Sequence, residues 1–447
     1  MLLEFKVRNF ASLRDEQSLT FFADRHREGR SEFAVPEQKK PALAVAGVFG
    51  ANAAGKSNVI RALAWMRNAV LYSFSHWPPV PSDGRPGVPR DPFLFRQDAR
   101  DDSTECSVEF IFKGRRYFYG FECDDERILY EALYEYASAK PRFIFRREGA
   151  DDFHFGRSFE GPRKTSTQMV RPNSLFLSAA AAQNHPMLRE VYSWFATTLQ
   201  VATDNNYAER LDTTLQWYLD SDERHRRFVD ILLRAADLNI SGIEREEDAD
   251  DAVWAEAVQR LRKAFESINT EEGFVFREAL APSISAWHET DDGAFKLQLG
   301  QESSGSVTWI SMLGPLVHTL ASGGVLCADE LDARLHPIMV ELVIRLFQDP
   351  RVNSQGAQLL FNSHAHYLLG RYPEHGLHRD QIWFAEKDHR SGASTLYPLT
   401  DFEGRNDQNV ELRYFGGRFG GLPFIDESAV ERLSREIQRG VHGPATD

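Results

Sequence analysis

Apolar and polar positions along the chain first predict a strand, a loop and a helix near the N-terminus. Residues 2–7 alternate like an edge strand, and residues 19–22 are suited to pair with it as a hairpin. Residues 42–49 form an apolar run typical of a buried strand, and residues 57–72 have the apolar spacing of a helix. The segment between this strand and this helix is therefore a loop that joins them directly.

The rest of the chain alternates between β-rich and helical blocks. The pattern predicts an antiparallel meander at residues 107–112, 116–122, 128–136 and 142–146, and further strands at 173–178, 274–278, 295–299, 324–328 and 358–361. It predicts helical structure from residue 185 to 267, and helices at 307–320 and 337–348. The tail from residue 392 is glycine-rich and irregular, and it ends in a polar helix. Such a mixture predicts an α/β protein.

The loop before the first helix reads GANAAGKSN at residues 50–58 and matches a P-loop pattern in full. Its glycines allow backbone N–H groups to turn toward phosphate oxygens, and the helix N-terminus adds its dipole. The ammonium of Lys56 would reach the β- and γ-phosphates, and the hydroxyl of Ser57 would hold Mg²⁺. With ATP and Mg²⁺ as cofactors, the expected nucleotide-binding residues of this loop are Gly50, Asn52, Gly55, Lys56, Ser57 and Asn58.

Two carboxylates follow a second apolar strand. Residues 325–328 are apolar, and Asp329 and Glu330 come directly after them. At the carboxyl edge of a sheet, Asp329 would bind Mg²⁺ and Glu330 would polarise the attacking water. Alone, the pair could equally be a helix N-cap. Together with a P-loop it indicates a nucleotide site.

Two further polar segments lie where regular elements begin or end. The strand at 358–361 runs into NSH at residues 362–364, which brings an imidazole to the same sheet edge. SSG at residues 303–305 precedes the helix at 307–320, and small hydroxyl residues at a helix start can bind an anion. Taken singly, His364 is compatible with a hydrogen-bonded core histidine, and residues 303–305 are compatible with a helix-capping sequence. Their order along the chain favours a functional role.

Length, charge and cysteine usage bound the class of protein. The chain has 447 residues, which suggests two or three domain-sized units, with 42% hydrophobic and 26% charged residues. The net charge is 52 minus 66, or −14, which argues against broad wrapping of nucleic acid as the main activity. Three distant cysteines fit a reducing cytoplasm, and no apolar run approaches the roughly 18 residues of a membrane span. We therefore expect a cytoplasmic protein with no membrane partner.

The order of these motifs resembles that of the ATP-binding-cassette (ABC) ATPases, in their soluble branch of SMC and RecF heads. Within that branch the chain is similar to the prokaryotic AAA15-type ATPases, relatives of the overcoming-lysogenization-defect (OLD) proteins, many of which serve phage defence. The segments that carry the resemblance are residues 50–58, ESSG at 302–305, DELDARLHP at 329–337, residues 362–364, DQIWF at 380–384 and RYFGGRFGGLPF at 413–424. The segment at 302–305 lacks the usual Leu-Ser-Gly-Gly form, and residues 9–11 read Asn-Phe-Ala where many relatives have Asn-Phe-Arg.

The resemblance implies roles within one ATP site. Lys56, Glu330 and His364 would be the catalytic residues, with His364 as the switch histidine. Gln183 is the candidate for the Q-loop glutamine, which contacts nucleotide and metal, and Gln97 is a rival. The implied metal ligands are Ser57, Asp329 and Gln183.

The resemblance also implies a site shared by two subunits. Ser303, Ser304 and Gly305 would form a signature motif that contacts the γ-phosphate of ATP held by a second copy. Asp332 would be the D-loop aspartate. ATP would then join two heads in a homodimer or a higher homo-oligomer, and its hydrolysis would separate them.

The implied architecture is an ABC-ATPase head with a mixed β lobe, a RecA-like parallel sheet and an inserted helical subdomain. The expected divisions are an N-terminal ATPase lobe at 1–180, a helical insertion at 181–275, a C-terminal ATPase lobe at 276–400, and a glycine-rich tail with a final helix at 401–447.

Three functions are open at this point. The first is an ATPase switch that controls a separate effector, a nuclease or a toxin, in anti-phage defence. The second is an OLD-type nuclease with Glu386, Asp388 and Asp401 as its acidic cluster. However, 447 minus 364 leaves only 83 residues after His364, and residues 388–392 suit a hairpin turn. The third is a DNA-binding repair ATPase like RecF or SMC, against which the negative charge weighs.

Overall fold

The computed structural model describes residues 1–24, 30–78, 87–96, 101–136, 140–203, 206–220, 223–245, 284–370, 376–403, 409–422 and 428–441. Its strands are β1 (Leu2–Arg8), β2 (Gln17–Thr20), β3 (Glu32–Phe33), β4 (Ala42–Leu43), β5 (Val45–Phe49), β6 (Thr104–Phe112), β7 (Arg115–Cys123), β8 (Ile128–Tyr136), β9 (Arg142–Glu148), β10 (Asp152–Phe155), β11 (Leu199–Ala202), β12 (Ile240–Arg245), β13 (Ile284–Thr290), β14 (Gly293–Gln298), β15 (Val325–Ala328), β16 (Gln358–Asn362), β17 (Ile382–Lys387) and β18 (Ser394–Pro398). Its α-helices are α1 (Lys56–Tyr72), α2 (Arg163–Gln168), α3 (Phe176–Ala182), α4 (Pro186–Ser193), α5 (Tyr207–Asp220), α6 (Glu223–Ala235), α7 (Ser304–Ser322), α8 (Pro337–Gln348), α9 (Val410–Phe415) and α10 (Ser428–Val441). The predicted α/β class is confirmed.

The larger sheet is antiparallel and contains the predicted meander. Its seven strands lie in the order β10-β9-β8-β7-β6-β1-β2. Strands β1 and β2 form the predicted hairpin, but β2 is the edge strand, because β1 also pairs with β6. Apolar side chains from this sheet share one buried core with helix α1, so the sheet packs against the helix that follows the P-loop.

The second sheet positions the candidate site. Its six strands lie in the order β11-β15-β16-β5-β17-β18, and all neighbours from β11 to β17 are parallel. Strands β5 and β16 are buried along their whole length, as expected for parallel strands covered on both faces. Because parallel strands share a direction, the segments that follow β5, β15 and β16 meet at one edge.

The predicted strand at residues 173–178 is wrong, because helix α3 begins inside it. The buried carboxylate of Glu131, on β8, accepts the backbone N–H of Phe176 at 2.6 Å and that of Leu177 at 2.9 Å. A short apolar run cannot distinguish a strand from a buried helix. Here the following alanines favour a helix, and the carboxylate satisfies the N–H groups of its first turn.

The predicted helical block at residues 185–267 is interrupted by strands. After α4 and the π-helical turn Trp194–Thr198, strand β11 pairs in parallel with β15 at the edge of the second sheet. Strand β12 then joins β13 and β14 in a separate antiparallel sheet. The predicted strand at 274–278 lies outside the described residues. Strand β11 is only four residues long, so its pairing with β15, rather than its own pattern, makes it a strand.

Helix α7 passes through the core with a proline in its interior. Pro315 lacks an N–H group, so the carbonyl of Ser311, one turn earlier, loses its usual helical partner. The hydroxyl of Thr214, on α5, accepts the N–H of Gly314 at 2.9 Å, and its one hydrogen is shared between the carbonyls of Arg210 at 2.9 Å and Ser311 at 3.3 Å. Helix α5 therefore contacts α7 at the break. Among the described residues, no helix combines the length and the apolar character that a membrane crossing requires.

Replacement of Glu131 by alanine tests the internal anchor of α3. Glu131 lies within 3.9 Å of the buried Arg147 and accepts a hydrogen bond from Tyr119, while burial raises the pKa of its carboxyl. We expect Glu131→Ala to lower the free energy of unfolding by about 3–5 kcal/mol, because it leaves a buried guanidinium and two N–H groups without their carboxylate. Urea denaturation measures this.

The matched control is Glu223→Ala, which breaks the exposed pair with Arg227. We expect it to leave stability almost unchanged, because exposed ion pairs are screened by water and salt. Equal effects of the two substitutions would contradict the role given to Glu131.

Candidate functional site

The P-loop takes a backbone shape that only glycine tolerates at its two ends. Gly50 and Gly55 have φ angles of 147° and 99°. A Cβ atom at Gly50 would lie 2.3 Å from the carbonyl oxygen of Ala385, and one at Gly55 would lie 2.5 Å from the Oγ of Ser394. Glycine is therefore required at both positions for two reasons: the backbone has a positive φ, and the loop approaches β17 and β18 too closely for a side chain.

Lys56 is a buried cation at the start of α1. Its Nζ donates to the carbonyl oxygens of Gly50 at 3.0 Å and Ala51 at 2.9 Å, and lies 3.5 Å from the Nδ1 of His364. Burial lowers the pKa of Lys56 to about 8, against the opposing effect of nearby carboxylates, chiefly that of Glu330. The ammonium contacts neutral carbonyls rather than a carboxylate, so its charge is available to an anionic ligand.

One buried amide joins three of the predicted site residues. The Nδ2 group of Asn362, at the end of β16, donates to the Oγ of Ser57 at 3.3 Å and also to the carboxylate of Asp329. Its Oδ1 accepts the backbone N–H of Glu330. The Asn362 side chain is fully buried, so these bonds hold the start of α1 to the ends of β15 and β16.

The segment after β15 is a tight turn that exposes the Glu330 carboxylate. Glu330 has a φ angle of 51°, which is unusual for a residue with a side chain. Asp332, two residues on, accepts the backbone N–H of His364 at 3.2 Å on both carboxylate oxygens. The turn after β15 and the segment after β16 are thus fixed to each other.

The segment predicted as a signature motif caps helix α7. The Oγ of Ser303 accepts the N–H of Ser306 at 3.0 Å, and Ser303 and Ser304 are exposed. A Cβ at Gly305 would lie 3.0 Å from the carbonyl oxygen of Arg334, so this helix start packs beside the turn that follows Asp329. Ser303 also accepts the N–H of Val307 on its carbonyl at 3.1 Å, so the first turn of α7 is capped and its start is exposed at Ser303 and Ser304.

The structure brings most of the predicted site residues to one edge of the parallel sheet. These are Gly50, Gly55, Lys56, Ser57, Asp329, Glu330, Asp332 and His364. Asn52 is exposed in the loop. Asn58 lies on the first turn of α1, but its amide donates to Ser12 at 2.7 Å.

Gln183 is not brought to this edge. It ends α3, and that helix is anchored beyond the far end of α1, about 25 Å along α1 from the P-loop: Leu175 donates its N–H to Ser73, and Ser178 accepts the N–H of Phe74. Its Nε2 donates to the main-chain carbonyls of Ser166 and Ala179. Its rival, Gln97, lies outside the described residues.

Two contributors to the site were missed in the sequence. In the sequence Asn362 is a polar residue directly after a strand, and its position two residues before His364 was the available signal. The tail ends in the predicted helix, α10, but before it the tail is more regular than predicted, because it contains β18 and α9. Its glycine-rich part packs under the P-loop, since a Cβ at Gly421 would lie 3.6 Å from the Cα of Gly50. Tyr414 donates to the carbonyl of Gly421 at 2.8 Å and holds it there.

The residues present fit ATP with Mg²⁺. The hydroxyl of Ser57 and the carboxylate of Asp329 are hard oxygen ligands that share one hydrogen-bond donor, so both point into the same small space. The loop between Gly50 and Gly55 presents backbone N–H groups next to a buried ammonium, which suits a polyphosphate.

Comparison with known proteins identifies a family. A family model described as "AAA domain, putative AbiEii toxin, Type IV TA system" matches residues 45–370, more than half of the chain. No curated protein matches the chain.

Solved structures give fold-level likenesses only. The chain is similar to an SMC head domain from Thermotoga maritima, at 13% identity and a TM-score of 0.40, over 89% of this chain and 98% of that one. It is also similar to an SMC head domain with a coiled coil and joint from Pyrococcus yayanosii, at 11% identity and a TM-score of 0.34, over 93% and 99%. Scores this low carry no argument about function.

The lowered pKa of Lys56 predicts how ATP affinity depends on pH. As the pH rises through about 8, the ammonium loses its proton and with it the charge that attracts phosphate. We expect ATP affinity to fall about tenfold for each pH unit above 8, and binding at pH 8 to take up about half a proton. Calorimetry in buffers of different ionisation enthalpy measures both.

Lys56→Arg is the matched control, because a guanidinium stays protonated throughout this range. It is expected to bind ATP with little dependence on pH, even if more weakly. Wild-type affinity that stays constant from pH 7 to 9.5 would show that Lys56 does not titrate there.

Proposed function

The chain belongs to this AAA-domain family, and on that premise we propose that it binds ATP with Mg²⁺ and hydrolyses it. The observation that carries the proposal is the Asn362 amide, which joins the P-loop Ser57 to Asp329 and Glu330. A structural turn does not require a buried lysine, a hydroxyl and two carboxylates at one edge of a sheet. A triphosphate with its cation uses all of them.

Binding is assigned to the P-loop and the start of α1. Backbone N–H groups between Gly50 and Gly55 cradle the phosphates, and the ammonium of Lys56 neutralises charge on the β- and γ-phosphates. Ser57 and Asp329 would hold Mg²⁺, which when bound would neutralise negative charge on the phosphates. Gln183 is left out of this assignment because α3 holds it elsewhere.

Hydrolysis is assigned to Glu330 and His364. Glu330 is exposed at the sheet edge, and its backbone N–H is fixed by Asn362, so its carboxylate can orient and polarise a water for in-line attack. His364 lies 3.5 Å from the Nζ of Lys56. Its imidazole can therefore donate to the same γ-phosphate oxygens that Lys56 contacts.

We further propose that two copies share each ATP. The exposed start of α7, at Ser303, Ser304 and Gly305, would contact the γ-phosphate held by the other subunit, with Asp332 at the junction. A hydrogen bond to a charged group contributes about 1.5–3 kcal/mol. Loss of about three such bonds on hydrolysis would cost several kcal/mol, which is enough to separate two heads.

ATP turnover in this proposal is a switch that controls a partner effector in anti-phage defence. The support for a defence role is the description of the chain's own family, which names a putative toxin of a Type IV toxin–antitoxin system. A nuclease within this chain is not favoured, because Asp388 accepts the N–H and hydroxyl of Ser391 in the β17–β18 turn. Glu386 lies 3.2 Å from the hydroxyl of Tyr397, which is also 2.7 Å from the carbonyl of Phe419. A DNA-binding repair role is the remaining alternative.

Glu330→Gln tests the shared site. Removal of the carboxylate should block hydrolysis while ATP binding persists, so ATP should shift this variant to a larger mass in light scattering. Lys56→Ala in the same background should stay at its ATP-free mass, because it lacks the phosphate-binding ammonium. If Glu330→Gln binds ATP, as measured by equilibrium dialysis, and its mass distribution does not change, the shared site is wrong.

A further inference from the structure

Asn362 uses both ends of one amide at the candidate ATP site. The two hydrogens on its Nδ2 go to Ser57 and Asp329, the pair whose oxygens suit Mg²⁺. Its Oδ1 takes the backbone N–H of Glu330, the residue suited to polarise water. The side chain is 0% exposed, so no bulk solvent competes for these bonds.

We propose that Asn362 is a positioning residue that couples the metal ligands to the water-activating residue. This rests on the proposed function of the same edge. A single rigid amide makes the three contacts, so a change in the orientation of Ser57 and Asp329 shifts the backbone of Glu330. Loading of the metal and placement of the Glu330 carboxylate are therefore one linked event rather than two.

The backbone around Asn362 prevents it from moving away. Its residue pairs in register with Val48 on β5, and its carbonyl oxygen accepts the N–H of Leu331 at 3.1 Å. Ser363, the next residue, donates its N–H to the carbonyl of Val48 at 3.2 Å. The main chain is thus tied to β5 on one side and to the turn after β15 on the other, so only the amide itself can adjust.

The chemistry of the three contacts selects an amide of this length. A carboxylate can accept from Glu330 but cannot donate to Asp329, and a hydroxyl offers one hydrogen rather than two. Glutamine has the same groups on a longer stem, which a fully buried position does not accommodate. Asparagine is the side chain that supplies two donors and one acceptor within this space.

Asn353, between α8 and β16, provides a matched control. It is also a buried asparagine, and its Nδ2 donates to the carbonyls of Phe347 and Ala357 while its Oδ1 accepts the N–H of Ala357. Asn353→Ala and Asn362→Ala therefore each remove three hydrogen bonds of a buried amide. Only the amide of Asn362 contacts the proposed metal ligands and Glu330.

The experiment measures metal affinity and turnover separately. Binding of Mn²⁺ in the presence of a non-hydrolysable ATP analogue is followed by the loss of free Mn²⁺ signal in electron paramagnetic resonance. For Asn362→Ala we expect affinity for Mn²⁺ to fall about 10- to 100-fold, as for other partners of metal ligands, and kcat at saturating metal to fall as well. Asn353→Ala should lose a comparable amount of thermal stability and keep both values.

Asn362→Asp is the second variant if Asn362→Ala does not fold. Aspartate keeps the shape of the side chain and the oxygen that accepts the N–H of Glu330. It loses the two N–H donors to Ser57 and Asp329 and adds a third carboxylate to those of Asp329 and Glu330. We expect tighter Mn²⁺ binding without faster hydrolysis. Unchanged Mn²⁺ affinity and kcat in the Asn362 variants, with an active wild type, would overturn the coupling. A wild type that binds no ATP would overturn the proposed function instead.

Discussion

Strand β16 lies between β15 and β5, parallel to both, and the register of these three strands determines the rest of the site. Ala328 is paired with Phe361, and Val48 is paired with Asn362, so the three strands end at nearly the same level. The residues that follow them, separated by up to about 300 positions in sequence, therefore emerge side by side. A shift of one residue in β16 would turn Asn362 to the other face and remove the bonds to Ser57, Asp329 and Glu330.

Burial then gives the site its chemical character. Lys56 and Asn362 are both enclosed by protein, so their interactions are stronger than they would be in water. The same burial lowers the pKa of Lys56, which makes its charge sensitive to an arriving anion. Glu330 is exposed instead, because the turn after β15 has an unusual φ at that residue. This edge of the sheet thus combines a buried ammonium, suited to bind phosphate, with an exposed carboxylate that water can reach.

Local patterns were sufficient to predict the elements that carry the site. The P-loop, the strand before Asp329 and the helix Pro337–Gln348 depend on spacing within about ten residues, and the structure has them where the patterns indicated. Long-range contacts were not predictable in this way. Helix α3 depends on Glu131, some 45 residues earlier, and strand β11 depends on its pairing with β15.

The amide of Asn362 illustrates the same limit at the level of one residue. Its sequence neighbours place it after a strand, but its partners come from the P-loop and from the turn after β15. Gln183, the Q-loop candidate, follows the apolar run at residues 173–178, and helix α3 begins in that run at the far end of α1. Which polar residue reaches a site is decided by strand order, which a local pattern does not contain.

The most direct test of the central claim is complementation between two inactive subunits. One variant carries Lys56→Ala and lacks a working P-loop, and the other carries Gly305→Arg, which blocks the exposed start of α7. If two copies share each ATP, mixing the variants creates dimers in which one site has an intact P-loop facing an intact α7 start. We expect the mixture to regain ATP hydrolysis that neither variant shows alone. A mixture that stays inactive, although both variants are folded and associate, would contradict a site built from two copies.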